Sequence, residues 1–401
     1  MYNKPRGGYS RGNSFQKKGR SGGSGFGRRK FLGDKIDINR FINKAQEVKE
    51  PAKITEPQYS FEDLGIHKEL KKAIASRGFV TPLPIQNKAI PLILEGIDIV
   101  GLSNTGTGKT AAFLIPIIHK ILTNIQEKAI VIVPTRELAN QIQDEFSALA
   151  GRLNIFSVVL VGGVHIQKQI RDLERRHNLI IGTPGRLKDL ISRRKLDLSL
   201  FGNVILDEAD RMLDMGFIGD VKMLLSMSAK KRQTMLFSAT FSPEIERLVN
   251  SFLNNPRKIS LKSGETSNHI SQDIVRINRN ENKIEVLHNL LIQNQFKKVL
   301  IFSRTKRGAD NLSQKLYQRG FKTDSIHGDK PQNKRQRVLK MFRDNAINIL
   351  VATDVAARGL DIPNVSHVIN FDIPASFDDY VHRIGRTGRV DRHGTALTFV
   401  E

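Results

Sequence analysis

From residue 61 onward the chain alternates short apolar runs with longer amphipathic stretches. Runs rich in Val, Ile and Leu at 98–102, 129–133, 157–161, 179–182, 203–206 and 234–237 have the length and composition of buried strands. Between them apolar residues recur at helical spacing, as at 110–122 and 137–150. A strand that shows no polar alternation must be covered on both faces, so this order predicts an α/β fold with a parallel sheet between helices. The pattern pauses over the mostly polar stretch Asn254–Asn268, then restarts with runs at 298–302, 322–325, 347–351, 366–370 and 396–400. Two tandem α/β domains are therefore expected, over 59–262 and 263–401, preceded by a tail and linker at 1–58.

The tail differs in kind. Residues 1–30 hold nine Lys/Arg, no Asp/Glu and eight glycines, with Tyr2, Tyr9, Phe15 and Phe26 scattered among them. Such a segment cannot bury enough apolar surface to offset its ordering entropy and is expected to be disordered. Its arginines and aromatics suit a nucleic-acid grip, against the alternative of a solubilising leader. Ile36, Ile38, Phe41 and Ile42 then stand at roughly helical spacing, either a short docking helix or a patch without a role. Over the whole chain 64 Lys/Arg face 40 Asp/Glu, a net charge of +24, which calls for a polyanionic partner. No apolar run reaches the ~18–20 residues that a membrane span needs. With zero cysteines, disulfide frameworks and thiolate metal sites are excluded. A cytoplasmic, non-membrane, monomeric protein fits these features.

Two segments carry candidate chemistry. Gly101-Leu-Ser-Asn-Thr-Gly-Thr-Gly-Lys-Thr110 follows a strand and opens a helix, the context of a phosphate-binding loop. Thr105, Gly106, Thr107 and Gly108 let backbone N–H groups close around phosphates at a helix N-terminus. Lys109 then reaches the β- and γ-phosphates of ATP, and the Thr110 hydroxyl ligates Mg²⁺. Ser103 stands where the strict pattern has glycine. The second segment is Asp207-Glu208, at the end of the strand Val204–Leu206, where a parallel sheet presents ligand contacts. Asp207 is placed to hold Mg²⁺ and Glu208 to orient or deprotonate the attacking water.

Asp207-Glu208-Ala209-Asp210 spells the tetrapeptide of the DEAD-box helicases, and the chain resembles that family from Phe61 nearly to its end. The resemblance implies two RecA-like domains that hydrolyse ATP in their shared cleft to unwind short RNA duplexes or remodel RNA–protein complexes. Phe61 lies seventeen residues before Gly78-Phe-Val-Thr-Pro-Leu-Pro-Ile-Gln86, which looks like the adenine-reading motif of the family. By that likeness Gln86 binds the adenine edge and Phe61 stacks on the base. Leu83 replaces the usual Thr or Ser, so one supporting hydroxyl is missing. Pro134, Thr135, Arg136, Gly163, Thr183 and Arg186 match the family's RNA-contacting loops of the first domain. Ser238-Ala-Thr240 resembles the segment coupling nucleotide state to RNA, its hydroxyls bridging to 207–210.

In the second half, Arg304, Gly328, Gln332, Arg335 and Thr353 fall on the RNA-facing motifs, with Pro331 in place of the usual Ser. Arg358 and Asp361 match nucleotide-facing positions. His382-Arg-Ile-Gly-Arg-Thr-Gly-Arg389 resembles the arginine-finger motif, which implies that Arg383 and Arg386 approach the γ-phosphate and that His382 takes part in coupling. Contacts of this kind are made to the phosphate–sugar backbone and carry no base sequence. Ribosome-assembly or RNA-processing partners are compatible with all this, as are two rivals: a DNA helicase on the same scaffold, and an ATP-gated RNA clamp with slow turnover. The last predicted strand ends at the last residue, where relatives usually add a closing helix, so a short or truncated second domain is also expected.

Overall fold

The computed structural model describes residues 41–42, 59–103, 106–261, 270–278, 280–357, 365–388 and 393–400. The expected disorder of residues 1–30, together with Thr105, Arg358 and Asp361, lies outside the described residues.

The first lobe is a seven-stranded parallel sheet. Its strands are β1 (Ile99–Leu102), β2 (Ala129–Ile132), β3 (Ser157–Leu160), β4 (Leu179–Gly182), β5 (Asn203–Leu206), β6 (Gln233–Ser238) and β7 (Arg257–Ser260). Their spatial order is β3-β4-β2-β5-β6-β1-β7. The sheet carries helices α1 (Lys68–Ser76), α2 (Pro84–Leu94), α3 (Lys109–Thr123), α4 (Arg136–Ala150), α5 (Ile166–Leu173), α6 (Pro184–Ser192), α7 (Ala209–Asp214), α8 (Ile218–Met227) and α9 (Pro243–Phe252). Successive residues of a strand point to opposite faces, and β2 shows the consequence. Val131 joins a core with Ile85, Phe113 and Phe237. Its neighbours Ile130 and Ile132 join another with Leu187, Phe201 and Leu224. Both faces are thus dry, and continuous apolar strands are what such a sheet requires.

The second lobe repeats the plan with six parallel strands in the order β10-β11-β9-β12-β13-β8. They are β8 (Ile270–Arg276), β9 (Val299–Phe302), β10 (Thr323–Ile326), β11 (Ile349–Ala352), β12 (His367–Asn370) and β13 (Gly394–Val400). Its helices are α10 (Lys283–Leu291), α11 (Lys306–Gln318), α12 (Gln332–Arg343), α13 (Asp354–Ala357) and α14 (Phe377–Ile384). Phe302 and Phe342 lie in the core on one face, Leu287 and Phe399 in that on the other.

Two strands break the expected pattern. β7 falls inside the polar pause at Asn254–Asn268, and β8 has no counterpart among the apolar runs. Both are sheet edges, and β7 buries only Ile259 of its four residues. An edge strand needs few apolar positions, so its sequence carries little of the signal.

Because every strand runs the same way, all strand C-termini open on one edge of each sheet. Helices start there on short polar caps: Thr135 Oγ1 accepts from Leu138 N at the start of α4, and Thr305 Oγ1 accepts from Gly308 N at the start of α11. Each cap satisfies one backbone N–H that the helix cannot.

Candidate functional site

The segment between β1 and α3 is the centre of the first lobe's edge. Gly108 sits at φ 88°, and a Cβ there would come within 2.5 Å of Gln86 Nε2 and 2.7 Å of Leu83 Cδ1, so glycine is required twice over. Gln86 is buried; its Oε1 accepts from Leu83 N at 2.9 Å and its Nε2 donates to Gly108 O at 3.1 Å. Both amide atoms therefore brace the loop against the start of α2, where an adenine-facing amide was expected. Phe61 is likewise packed away. It is 4% exposed, with its ring 6.4 Å from Phe79, and offers a base little free face.

Ser103, the departure from the strict loop pattern, is itself part of the fabric. Its hydroxyl accepts from Thr107 Oγ1 at 3.0 Å, its carbonyl accepts from Lys109 Nζ at 3.0 Å, and its N–H donates to Ser238 O. Lys109 is thus held across the loop it would serve. Gly106 is exposed, and Thr110 is half-buried in the first turn of α3.

Asp207 and Glu208 follow β5 and are buried at 3% and 7% exposure. Burial pushes the Asp207 carboxyl up to about 6, with Lys109 opposing and Glu208 adding to the rise. A buried carboxylate that its surroundings compensate this poorly is a fitting oxygen donor for a hard divalent cation, with the Thr110 hydroxyl a second. Glu208 behaves in the opposite way. Burial works to raise it, but the charges of Arg211, Arg386 and Lys109 hold its carboxyl below the usual range. Arg211 Nη1 meets Glu208 Oε2 at 2.5 Å, and Glu208 takes a left-handed backbone at φ 52°. A non-glycine residue held there costs about 1–3 kcal/mol, and such strain clusters at functional sites.

Asp210 joins this pair to the end of β6. Its Oδ2 accepts from Ala239 N and Thr240 N, each at 2.9 Å, and from Thr240 Oγ1 at 3.2 Å, while its own N–H donates to Ser238 Oγ at 3.3 Å. A change at Asp207 or Glu208 is therefore one short hydrogen-bonded step from Ser238 and Thr240.

Farther along the same edge lie Pro134, Thr135 and Arg136 after β2, Gly163 after β3, and Thr183 and Arg186 after β4. The Arg136 guanidinium lies over Gly163, at φ 70°, where a Cβ would fall 1.9 Å from Nη1. Arg186 is braced, donating to Gln169 Oε1 at 2.8 Å and Val164 O at 3.1 Å. Burial lowers the Arg136 pKa, and the like charges of Arg335 and Arg186 add to it while Glu137 opposes. Three mutually repelling guanidinium groups around one edge favour an anion.

The second lobe corrects several expectations. Arg383 is 2% exposed and spent within its own lobe. Its Nε and Nη2 donate to Asp354 at 2.6 and 2.7 Å, and its Nη1 donates to Asn370 Oδ1 and Asp372 O. These bonds tie α13 and the end of β12 to α14. Arg386 is the member of the pair whose charge acts on Glu208 of the first lobe. Its Nε donates to the carbonyl of His382, which is half-buried on α14. Gln332 and Arg335 also depart from the RNA-facing role. Gln332 Nε2 donates to Glu137 Oε1 at 3.0 Å, and Arg335 Nη2 pairs with the same oxygen at 3.0 Å. Glu137 and Arg335 are both buried, so this is a closed contact between the lobes. The sequence gives Glu137 no visible role, because its partners lie nearly two hundred positions away. Arg304 is exposed, its N–H donating to Asp372 Oδ2 at 2.7 Å. Gly328 is exposed, and Thr353 is buried beside β11.

The sequence matches the family described as DEAD/DEAH box helicase over residues 83–248 and the helicase conserved C-terminal domain over residues 282–391. It is 45% identical over 342 residues to the ATP-dependent RNA helicase CshA of Limosilactobacillus reuteri, covering 85% of this chain and 69% of that one. Against the DEAD-box ATP-dependent RNA helicase CshA of Geobacillus kaustophilus it is 46% identical, covering 85% and 73%. Among solved structures, S. cerevisiae Dbp5 bound to RNA and ADP BeF3 superposes with a TM-score of 0.76 at 33% identity, covering 85% and 89%. Mss116p bound to single-stranded RNA and AMP-PNP gives 0.77 at 31% identity, covering 90% and 76%. A DEAD box protein from Methanococcus jannaschii, at 40% identity and covering 85% and 93%, gives only 0.51. Among the described residues no helix is long and apolar enough to cross a membrane.

Proposed function

The chain belongs to the DEAD-box helicase family, and from that premise we propose that it is an RNA-stimulated ATPase whose two lobes, 59–262 and 263–401, close on RNA to complete the nucleotide site. The observation that carries this reading is the contact between the lobes, where Glu137 of the first meets Gln332 and Arg335 of the second, with Arg386 of the second lobe near enough for its charge to act on Glu208 of the first. A site divided in this way hydrolyses ATP slowly when the lobes part and quickly when they meet.

Each part then has a task. Backbone N–H groups of 105–108 cradle the phosphates, and Lys109 leaves the Ser103 carbonyl for the β- and γ-phosphates. Thr110 and Asp207 would hold Mg²⁺, which when bound offsets phosphate charge. Glu208 orients the attacking water and takes up its proton. Its depressed pKa keeps it ionised at neutral pH, and the Arg211 contact fixes where the carboxylate points. Arg386 meets the charge that develops on the transferring phosphoryl group; such arginines are worth about 10³–10⁵ in rate. Through Asp210 the state of this site reaches Ser238 and Thr240. Glu137, Gln332 and Arg335 join the lobes beside Arg136.

RNA is the favoured polymer because the relatives' names and bound structures point to it. Contacts through Thr135, Arg136, Gly163, Thr183, Arg304, Gly328 and Thr353 suit a backbone, so sequence preference should be low and local unwinding of short duplexes the natural outcome. The test is steady-state ATP hydrolysis with single-stranded RNA, with an equal amount of DNA, and with neither. Stimulation by RNA alone supports the proposal. Equal stimulation by DNA supports the DNA rival, and tight ATP-dependent RNA binding without turnover supports the clamp.

A further inference from the structure

The apolar patch around Phe41 has no place in the chemistry above, yet its central residue is 1% exposed. Phe41 precedes the first lobe in the sequence, but it is packed into the second. Its ring lies 4.6 Å from that of Tyr380, and it completes a small core with Ile270, Tyr380, Ile384 and Ala396. Ile42, the next residue, is 45% exposed, so Phe41 is the side chain that enters the core. The site that receives it is well built. Tyr380 is fully buried, and its hydroxyl donates to Gln272 Oε1 on β8 at 2.9 Å, which fixes the ring on which Phe41 rests.

Position gives the contact its meaning. Tyr380 and Ile384 lie on α14, the helix that also carries His382 and Arg383 and leads directly to Arg386. A ring wedged between α14 and the β8–β13 edge of the sheet therefore sets how that helix sits. The same contact ties the lobes a second time, through packing rather than through the linker near residue 265. Seventeen residues, 42–58, separate Phe41 from Tyr59 at the start of the first lobe, a reach of at most about 60 Å.

We propose that Phe41 is an intramolecular anchor: the chain's own N-terminal segment docks in the apolar pocket of the second lobe and holds α14 in the position from which Arg386 works. This rests on the reading of Arg386 as the residue that completes the nucleotide site.

The chain contains no tryptophan, so Phe41→Trp in the full protein is a single reporter that needs no activity. Docking predicts blue-shifted emission and shielding from acrylamide in the folded chain, both lost in urea. In parallel, Phe41→Ala should lower RNA-stimulated kcat about tenfold, as a misplaced catalytic group does. Hydrolysis without RNA should stay within about twofold, because α14 then contributes nothing to the site. Phe41→Leu, which refills the pocket, should restore most of the rate. A tryptophan that is solvent-exposed in the folded chain, or an unchanged RNA-stimulated kcat in Phe41→Ala, overturns the anchor. Absence of RNA stimulation in the unaltered chain would instead count against the proposed function, and the fluorescence arm would still decide the anchor.

Discussion

The two lobes use the same edge of the same kind of sheet in different ways. In the first, site residues bond to one another: Gln86 to Gly108, Lys109 to Ser103, and Asp210 to Ser238, Ala239 and Thr240. The described residues of the loop are braced by bonds within their own lobe. In the second, Arg383 is locked to Asp354, while Gln332 and Arg335 reach across to Glu137 and Arg386 is near enough for its charge to act on Glu208. On the proposed function, binding is built into one lobe and catalysis belongs to the contact between them, so that RNA bridging both acts as the switch.

The comparison predicts its own breaking points. The largest effect is at Glu208. Glu208→Gln should keep ATP and RNA binding while turnover falls at least about a hundredfold, general-base catalysis being worth ~10²–10⁴; binding by equilibrium titration and turnover by phosphate release separate the two. Next come the two arginines at the end of α14, one on its last turn and one just past it, which should fail differently. Arg383→Ala leaves the Asp354 carboxylate without its bidentate partner and should destabilise the second lobe by about 3–5 kcal/mol, visible as a lower Tm. Arg386→Ala should leave Tm nearly unchanged.

Glu137→Gln should weaken RNA-dependent closure by about 2–3 kcal/mol, because Arg335 stays buried with its charge unmatched. The readout is KM for RNA, with RNA-free hydrolysis unaltered. Asp207→Asn should act on stability in the opposite direction. Burial holds the folded pKa of Asp207 near 6, above its unfolded value of 3.8. Ionising it therefore costs stability as pH rises through that window, and the cost is fully present above it. Without nucleotide or magnesium, Asp207→Asn should raise stability at neutral pH by about 1–3 kcal/mol, with the gain shrinking below pH 6. The smallest effect is at Gly163. Gly163→Ala displaces only the flexible end of Arg136 and strains one turn, so KM for RNA should rise severalfold with about 1 kcal/mol lost in stability.

How much of this was legible in the chain follows physical lines. Strands buried on both faces, such as β2 and β5, announce themselves as unbroken apolar runs, and eleven strands were readable on that ground. β7 and β8 were not, because they are edge strands with few buried positions, only Ile259 in β7 and only Ile270 and Gln272 in β8, which leaves no apolar run to read. The phosphate loop and the Asp207–Asp210 turn were legible because their residues are contiguous. The fate of Arg383 was not, since its partners Asp354 and Asn370 stand 29 and 13 positions away. Gln86 and Phe61 illustrate a subtler limit: sequence indicates which side chains surround the loop, while the hydrogen bonds and packing decide whether they brace it or face a ligand.

The measurement that bears most directly on the divided site is RNA-stimulated hydrolysis in Arg386→Ala beside the unaltered chain. Strong stimulation by single-stranded RNA is expected in the unaltered chain, and its near-complete loss in Arg386→Ala with RNA-free hydrolysis and ATP affinity preserved. Retained stimulation in Arg386→Ala would mean that the second lobe does not complete the site through this arginine, and the account of the cleft would be contradicted.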